Sequence, residues 1–223
     1  MRARYGREFG YSRLNATARV CQDVILAKLE ASNMRDQVTI KGGVLMCALS
    51  GSNRRATQDI DLDFVRYPMT DDSIRSFISA LSNLDDGISV SINGKIEGLS
   101  RQDYKGRRAN LKISDGRSTF DTKLDLGVHA SALMVQDELC FDVARRQEGV
   151  CLLANSMEQV FAEKLNPPSP RHPQYSLSRF VRYVLHWPQK RSRREETRAL
   201  HRRNDCQRPR YVGSKHGRYR RTR

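Results

Sequence analysis

A chain of 223 residues has room for one domain of ordinary size with an appendage, or for two small ones, and a hydrophobic fraction of 38% is low for a compact enzyme. The net charge of +15 is unevenly spread, because residues 166–223 hold 17 Lys and Arg against 3 Asp and Glu whereas the preceding 165 hold 23 against 22. The first twenty residues are polar and Arg-rich, and no apolar run is longer than 43–49, so neither a secretory signal nor a membrane-spanning helix is expected, and a cytoplasmic protein without a membrane partner is.

In chain order, residues 17–32 place Val20, Val24 and Ala27, and on the neighbouring stripe Cys21, Ile25 and Leu29, at helical spacing among strong helix formers. Val38-Thr39-Ile40 is a short β-branched run ending at a glycine pair, the pattern of a strand entering a tight turn. The apolar segment 44–51 reads as a buried helix stopped by Gly51. Residues 59–65 read as a strand, and Thr70 caps a helix running to about Leu84 through Ile74, Phe77, Ile78 and Leu81.

Residues 88–92 alternate and end in Asn93-Gly94, which predicts a two-residue hairpin turn into a strand at 95–99. A second hairpin joins 109–113 to 119–128 through Asp115-Gly116, with Asp121, Lys123 and Asp125 on one face of its second arm. A further strand is expected at 139–143. Ser156, with Gln159 three residues on, reads as the capping box of a helix through Val160, Phe161 and Leu165.

Beyond Leu165 the pattern breaks. Four prolines fall within 167–173, which is incompatible with helix or central strand, and the Arg-rich remainder buries too little apolar area to offset its ordering entropy. The expected organisation is therefore a domain at 1–165 followed by a basic, Pro/Arg-rich tail at 166–223, either a disordered basic arm or the product of a shifted reading frame. The five cysteines, Cys21, Cys47, Cys140, Cys151 and Cys206, are odd in number and widely spaced, which argues against a disulfide framework or a zinc site and fits a reducing cytosol.

The segment Asp59-Ile60-Asp61-Leu62-Asp63-Phe64 carries the chemistry. Alternation puts three carboxylates on one strand face and three apolar side chains on the other. Such a row needs a positive partner, and Mg²⁺, which takes oxygen ligands from one or two carboxylates and from phosphate, suits it. An EF-hand is excluded, since its glycine and glutamate positions hold Phe64 and Thr70. Asp59 and Asp61 would stand about 6 to 7 Å apart along the strand, whereas Asp121 and Asp125 stand about 13 Å apart and cannot both serve one site. Gly42 and Gly43 let a backbone approach phosphate at the positive end of the following helix.

Four stretches together carry a resemblance: Lys41-Gly42-Gly43, the run from Arg55 to Leu62, Lys123-Leu124-Asp125-Leu126-Gly127, and Ser156-Met157-Glu158 through Lys164-Leu165. Over roughly residues 10–165 the chain resembles the AbiEii/AbiGii family of nucleotidyltransferase toxins, within the DNA polymerase β-like superfamily. The resemblance implies an α+β nucleotidyltransferase fold, a mixed sheet flanked by helices. It implies transfer of a nucleotide from an NTP to an acceptor such as a tRNA or other RNA, with Mg²⁺ or Mn²⁺, in a bacterial toxin–antitoxin or abortive-infection system with a cognate antitoxin. Asp59, Asp61 and Asp125 would be the catalytic, metal-holding carboxylates, and Lys41, Gly42, Gly43, Arg55 and Lys164 would bind the nucleotide. Two other classes stay open: an inactive truncated remnant of that family, and a basic RNA-binding protein working through the tail.

Overall fold

The computed structural model describes residues 7, 10–50, 57–101, 104–128, 136–144, 146 and 148–160. The expected tail at 166–223, and with it the boundary after 165, lies outside the described residues, as do Arg55 and Lys164.

Helix α1 (Arg13–Ala31) begins four residues earlier than its apolar stripe suggested, because the Ser12 side chain caps it by accepting from the Asn15 amide at 3.3 Å. Strand β1 (Val38–Ile40), helix α2 (Gly42–Ser50) and strand β2 (Asp59–Phe64) follow as expected. Thr70 caps helix α3 (Asp71–Ser82), its Oγ1 accepting from the Ser73 amide at 3.1 Å. The apolar stripe of α3, Ile74, Phe77, Ile78 and Leu81, is buried, and Phe77 meets Phe64 of β2 edge-on at 5.3 Å between ring centres.

The next strands depart from expectation. β3 (Ser89–Ile92) and β4 (Glu97–Arg101) do not pair with each other; both lie antiparallel along β5 (Tyr104–Ser114), β3 against its C-terminal half and β4 against its N-terminal half. Gly94 does take the positive φ, +85°, that an Asn-Gly turn requires, but Asn93 donates its amide to the Asn110 carbonyl at 2.7 Å. The turn is a jog in one edge, not a reversal.

The predicted hairpin of β5 with β6 (Thr119–Val128) is present, with Asp115 Oδ1 accepting from the Arg117 and Ser118 amides at 3.0 and 2.6 Å. Those two bonds hold the exposed Asp115 carboxyl below its usual range. Strands β7 (Gln136–Phe141) and β8 (Val150–Asn155) form an antiparallel pair, and Ser156 caps the turn after β8 as expected, accepting from the Gln159 amide at 3.1 Å. The odd number and wide spacing of the cysteines argue against a disulfide, and the structure overturns that expectation. The register of β7 against β8 supplies a pair, setting Cys140 opposite Cys151 in a disulfide, while Cys21 is buried outside it.

The strands form one mixed sheet in the order β3-β5-β6-β2-β1-β8-β7, with β4 beside β5. At its centre β2 is parallel to β6 and β1 is parallel to β8, whereas β1 and β2 run antiparallel. Ile60, Leu62 and Phe64 are fully buried in the core with Ile25, Leu26 and Leu29 of α1 and the α3 stripe. That leaves the other face of β2 to its acids. Among the described residues no helix is long and apolar enough to cross a membrane.

Candidate active site

The local sequence puts each acid in place by a simple rule. In β2 the apolar residues turn to the core, so Asp59, Asp61 and Asp63 share the opposite face. β6 runs parallel to β2 in a register that sets Asp61 beside Asp125, Asp59 beside Lys123 and Asp63 beside Gly127. Asp125 thus reaches the acid row from the neighbouring strand, as the sequence predicted. Asp121 lies beyond the paired stretch, exposed and opposite Lys112.

The row is graded. Asp59 is open, its side chain 43% exposed, and Asp63 is entirely buried. Asp61 lies between them. Burial, the neighbouring Asp125 and, more weakly, Asp59 push its carboxyl above the usual aspartate range, while Lys41 and a hydrogen bond from the Gly43 amide pull it back in part.

Gly42 shows why the turn is glycine. It sits at φ +61°, a region that L side chains rarely adopt, and a Cβ there would collide with the Asp61 carboxylate. A Cβ on Gly43 would lie 2.5 Å from Cβ of Thr57. The glycine pair is therefore required by its own chain, since it lets the start of α2 press against β2 and donate to Asp61. Gly42→Ala is expected to lower the unfolding free energy by about 1–3 kcal/mol, from strain at positive φ and from the displaced carboxylate. A urea midpoint within experimental error of wild type would show that the close approach constrains nothing.

Lys41, expected at the nucleotide, ion-pairs through Nζ with Asp63. The missing side chain of Gly127 makes room for that pair, since a Cβ there would lie 3.0 Å from Lys41 Nζ. Arg108, which the acid pattern did not single out, holds Asp125: Nε and Nη2 donate to Oδ1 and Oδ2, each at 2.6 Å, and Nη2 also lies 3.9 Å from Asp59 Oδ2. These bonds hold the Arg108 guanidinium more firmly protonated than usual. The signal was present in the hairpin. Ser114 pairs with Thr119, so six residues in each direction bring Arg108 opposite Asp125.

Carboxylate oxygens are the donors a hard divalent cation prefers, and Asp59, Asp61 and Asp125 supply them on one surface. The residues therefore fit Mg²⁺ or Mn²⁺ in chemistry. Among the described residues, however, no three acidic, His or Cys side chains are gathered tightly enough to cage an ion together. Asp125 faces Arg108 instead.

The family model described as "Nucleotidyl transferase AbiEii toxin, Type IV TA system" matches residues 24–166, which include every described acid above. Among solved structures, an antigenic nucleotidyltransferase-like protein from Paracoccidioides brasiliensis is 16% identical, with 85% of this chain and 89% of that chain covered and a TM-score of 0.44. The antibiotic-resistance factor ANT(2'')-Ia is 19% identical over 85% and 99%, with a TM-score of 0.37. JHP933 from Helicobacter pylori is 14% identical over 70% of this chain, with a TM-score of 0.38. The chain spans 57% of the length of JHP933 and 59% of a second H. pylori structure. A search of curated proteins finds no match.

Proposed function

Because the chain belongs to the AbiEii nucleotidyltransferase toxin family, of type IV toxin–antitoxin systems, we propose that it moves a nucleotidyl group from an NTP to an RNA acceptor such as a tRNA, in the cytoplasm and under the control of a cognate antitoxin. The observation that carries this reading is the register placing Asp61 beside Asp125, with Asp59 on the same face and the glycine turn pressed against them. In the reaction an acceptor hydroxyl attacks the α-phosphorus and the bond to the oxygen bridging to the β-phosphate breaks. Pyrophosphate leaves, and the hydroxyl proton passes to a carboxylate.

Asp125 is assigned as the proton acceptor, since it arrives from a neighbouring strand and its side chain remains 17% exposed. Asp59 and Asp61, with Asp125, would hold Mg²⁺ or Mn²⁺, which when bound neutralises phosphate charge. The N-terminus of α2, which opens at Gly42 and Gly43, is assigned to the triphosphate. Arg55 and Lys164 are assigned to the triphosphate as the family's pattern implies, whereas Lys41 is committed to Asp63.

Incubating the full chain with labelled NTPs, Mg²⁺ and total RNA tests this. Label is expected on RNA with wild type and absent with Asp59→Ala, a substitution at an open position that leaves the fold intact. Folded wild type that labels nothing with any of the four nucleotides would sink the proposal. RNA retention equal in both proteins and without labelling would favour the basic RNA-binding reading.

A further inference from the structure

The pairing of Arg108 is not part of the acid pattern, and it bears on how the site takes a cation. We propose that Arg108 is a built-in counter-ion of this site, competing with a divalent cation for Asp125. This rests on the cation site proposed above.

Three observations carry it. The guanidinium fork takes both oxygens of Asp125 at 2.6 Å, so no edge of that carboxylate facing β5 is left for an ion. The same group leans toward Asp59, at 3.9 Å, and so stands between two of the three carboxylates a cation would bridge. Among the described residues no three potential ligands are gathered tightly enough to hold an ion. Geometry also gives the side chain somewhere to go. Arg108 lies on β5, is 26% exposed, and can swing toward solvent with its charge intact, while its neighbour Arg107 is turned away toward Asp71 at 3.6 Å.

The competing explanation is a cross-strand clasp that merely ties β5 to β6. A clasp contributes stability and leaves cation affinity alone. A competitor lowers apparent affinity by the fraction of time it leaves the carboxylates free, so an occupant present about nine-tenths of the time weakens binding about tenfold.

The test is a Mn²⁺ titration of the full chain without nucleotide, following the electron paramagnetic resonance signal of free Mn²⁺. Wild type is compared with Arg108→Gln, Arg108→Lys and the double variant Arg108→Gln/Asp61→Asn. Arg108→Gln is expected to bind Mn²⁺ about tenfold more tightly, Arg108→Lys to fall between it and wild type, and the double variant to lose the gain. Equal or weaker Mn²⁺ binding by Arg108→Gln, with an unchanged circular dichroism spectrum, overturns the competition and leaves the cation site standing. Absence of Mn²⁺ binding in every protein overturns both. Should Arg108→Gln fail to fold, Arg108→Lys decides alone: tighter binding than wild type supports the inference, and equal or weaker binding overturns it.

Discussion

Lys41→Ala is expected to lower the unfolding free energy by about 3–5 kcal/mol, a large part of the 5–15 kcal/mol that holds a typical domain together. Asp63 is wholly buried and Lys41 20% exposed, so removing the ammonium leaves a buried carboxylate at the sheet's centre without its counter-charge. The ordinary expectation for a lysine beside a glycine turn is loss of nucleotide binding with the fold intact. Urea denaturation separates the two. The double variant Lys41→Met/Asp63→Asn should regain most of the loss, because it leaves neither charge buried. If Lys41→Ala unfolds within about 1 kcal/mol of wild type, the pair is not structural and Lys41 returns to the list of phosphate contacts.

Asp61→Asn should cut nucleotide transfer by about a thousandfold or more while making the protein as stable as wild type or more so. The first effect follows from losing a central negative donor; a cation's electrostatic help is worth several kcal/mol, and each 1.4 kcal/mol is tenfold. The second follows from the direction of its pKa. Burial and Asp125 hold this carboxyl above its ordinary value, so the folded state favours the neutral acid. That contribution is fully present below the unfolded-chain value of about 3.9 and is lost as pH rises through the raised folded value. The asparagine variant never carries the charge. Its stability advantage should therefore be absent at acid pH and open as pH rises toward neutral, and Mg²⁺ should narrow it by stabilising wild type alone. Thermal melts across pH, with and without Mg²⁺, read both. A variant less stable than wild type at neutral pH would mean that the carboxylate is structurally compensated.

Much of the site could be read locally. The alternation in 59–64, the β-branched run before Gly42 and the caps at Thr70 and Ser156 depend on near neighbours, and each appears where expected. What escaped was set by partners far along the chain. Asn93-Gly94 signals a backbone bend, but whether that bend reverses a strand or jogs it depends on β5, which both flanking segments join. Strand β8 is not signalled in the sequence, although β7, its antiparallel partner, lies just before it and only β1 lies over a hundred residues earlier. Lys41 carries charge that the family pattern assigns to the nucleotide, and Arg108 is not singled out by pattern at all. Only the register shows that a buried Asp63 claims the first and Asp125 the second. Arg55 and Lys164 lie outside the described residues.

The strand order also sets a schedule for the nascent chain. Once residue 128 has left the ribosome, β2 and β6 can pair and bring Asp61 to Asp125, yet the far edge of β1 has no neighbour until Val150–Asn155 is made. During that interval a short strand whose residues are all buried in the finished fold presents unpaired amides and carbonyls along that edge. A chain released early would hold its acids in register while remaining prone to edge-to-edge association. Completion of β8 thus closes the exposed edge of β1 rather than the site.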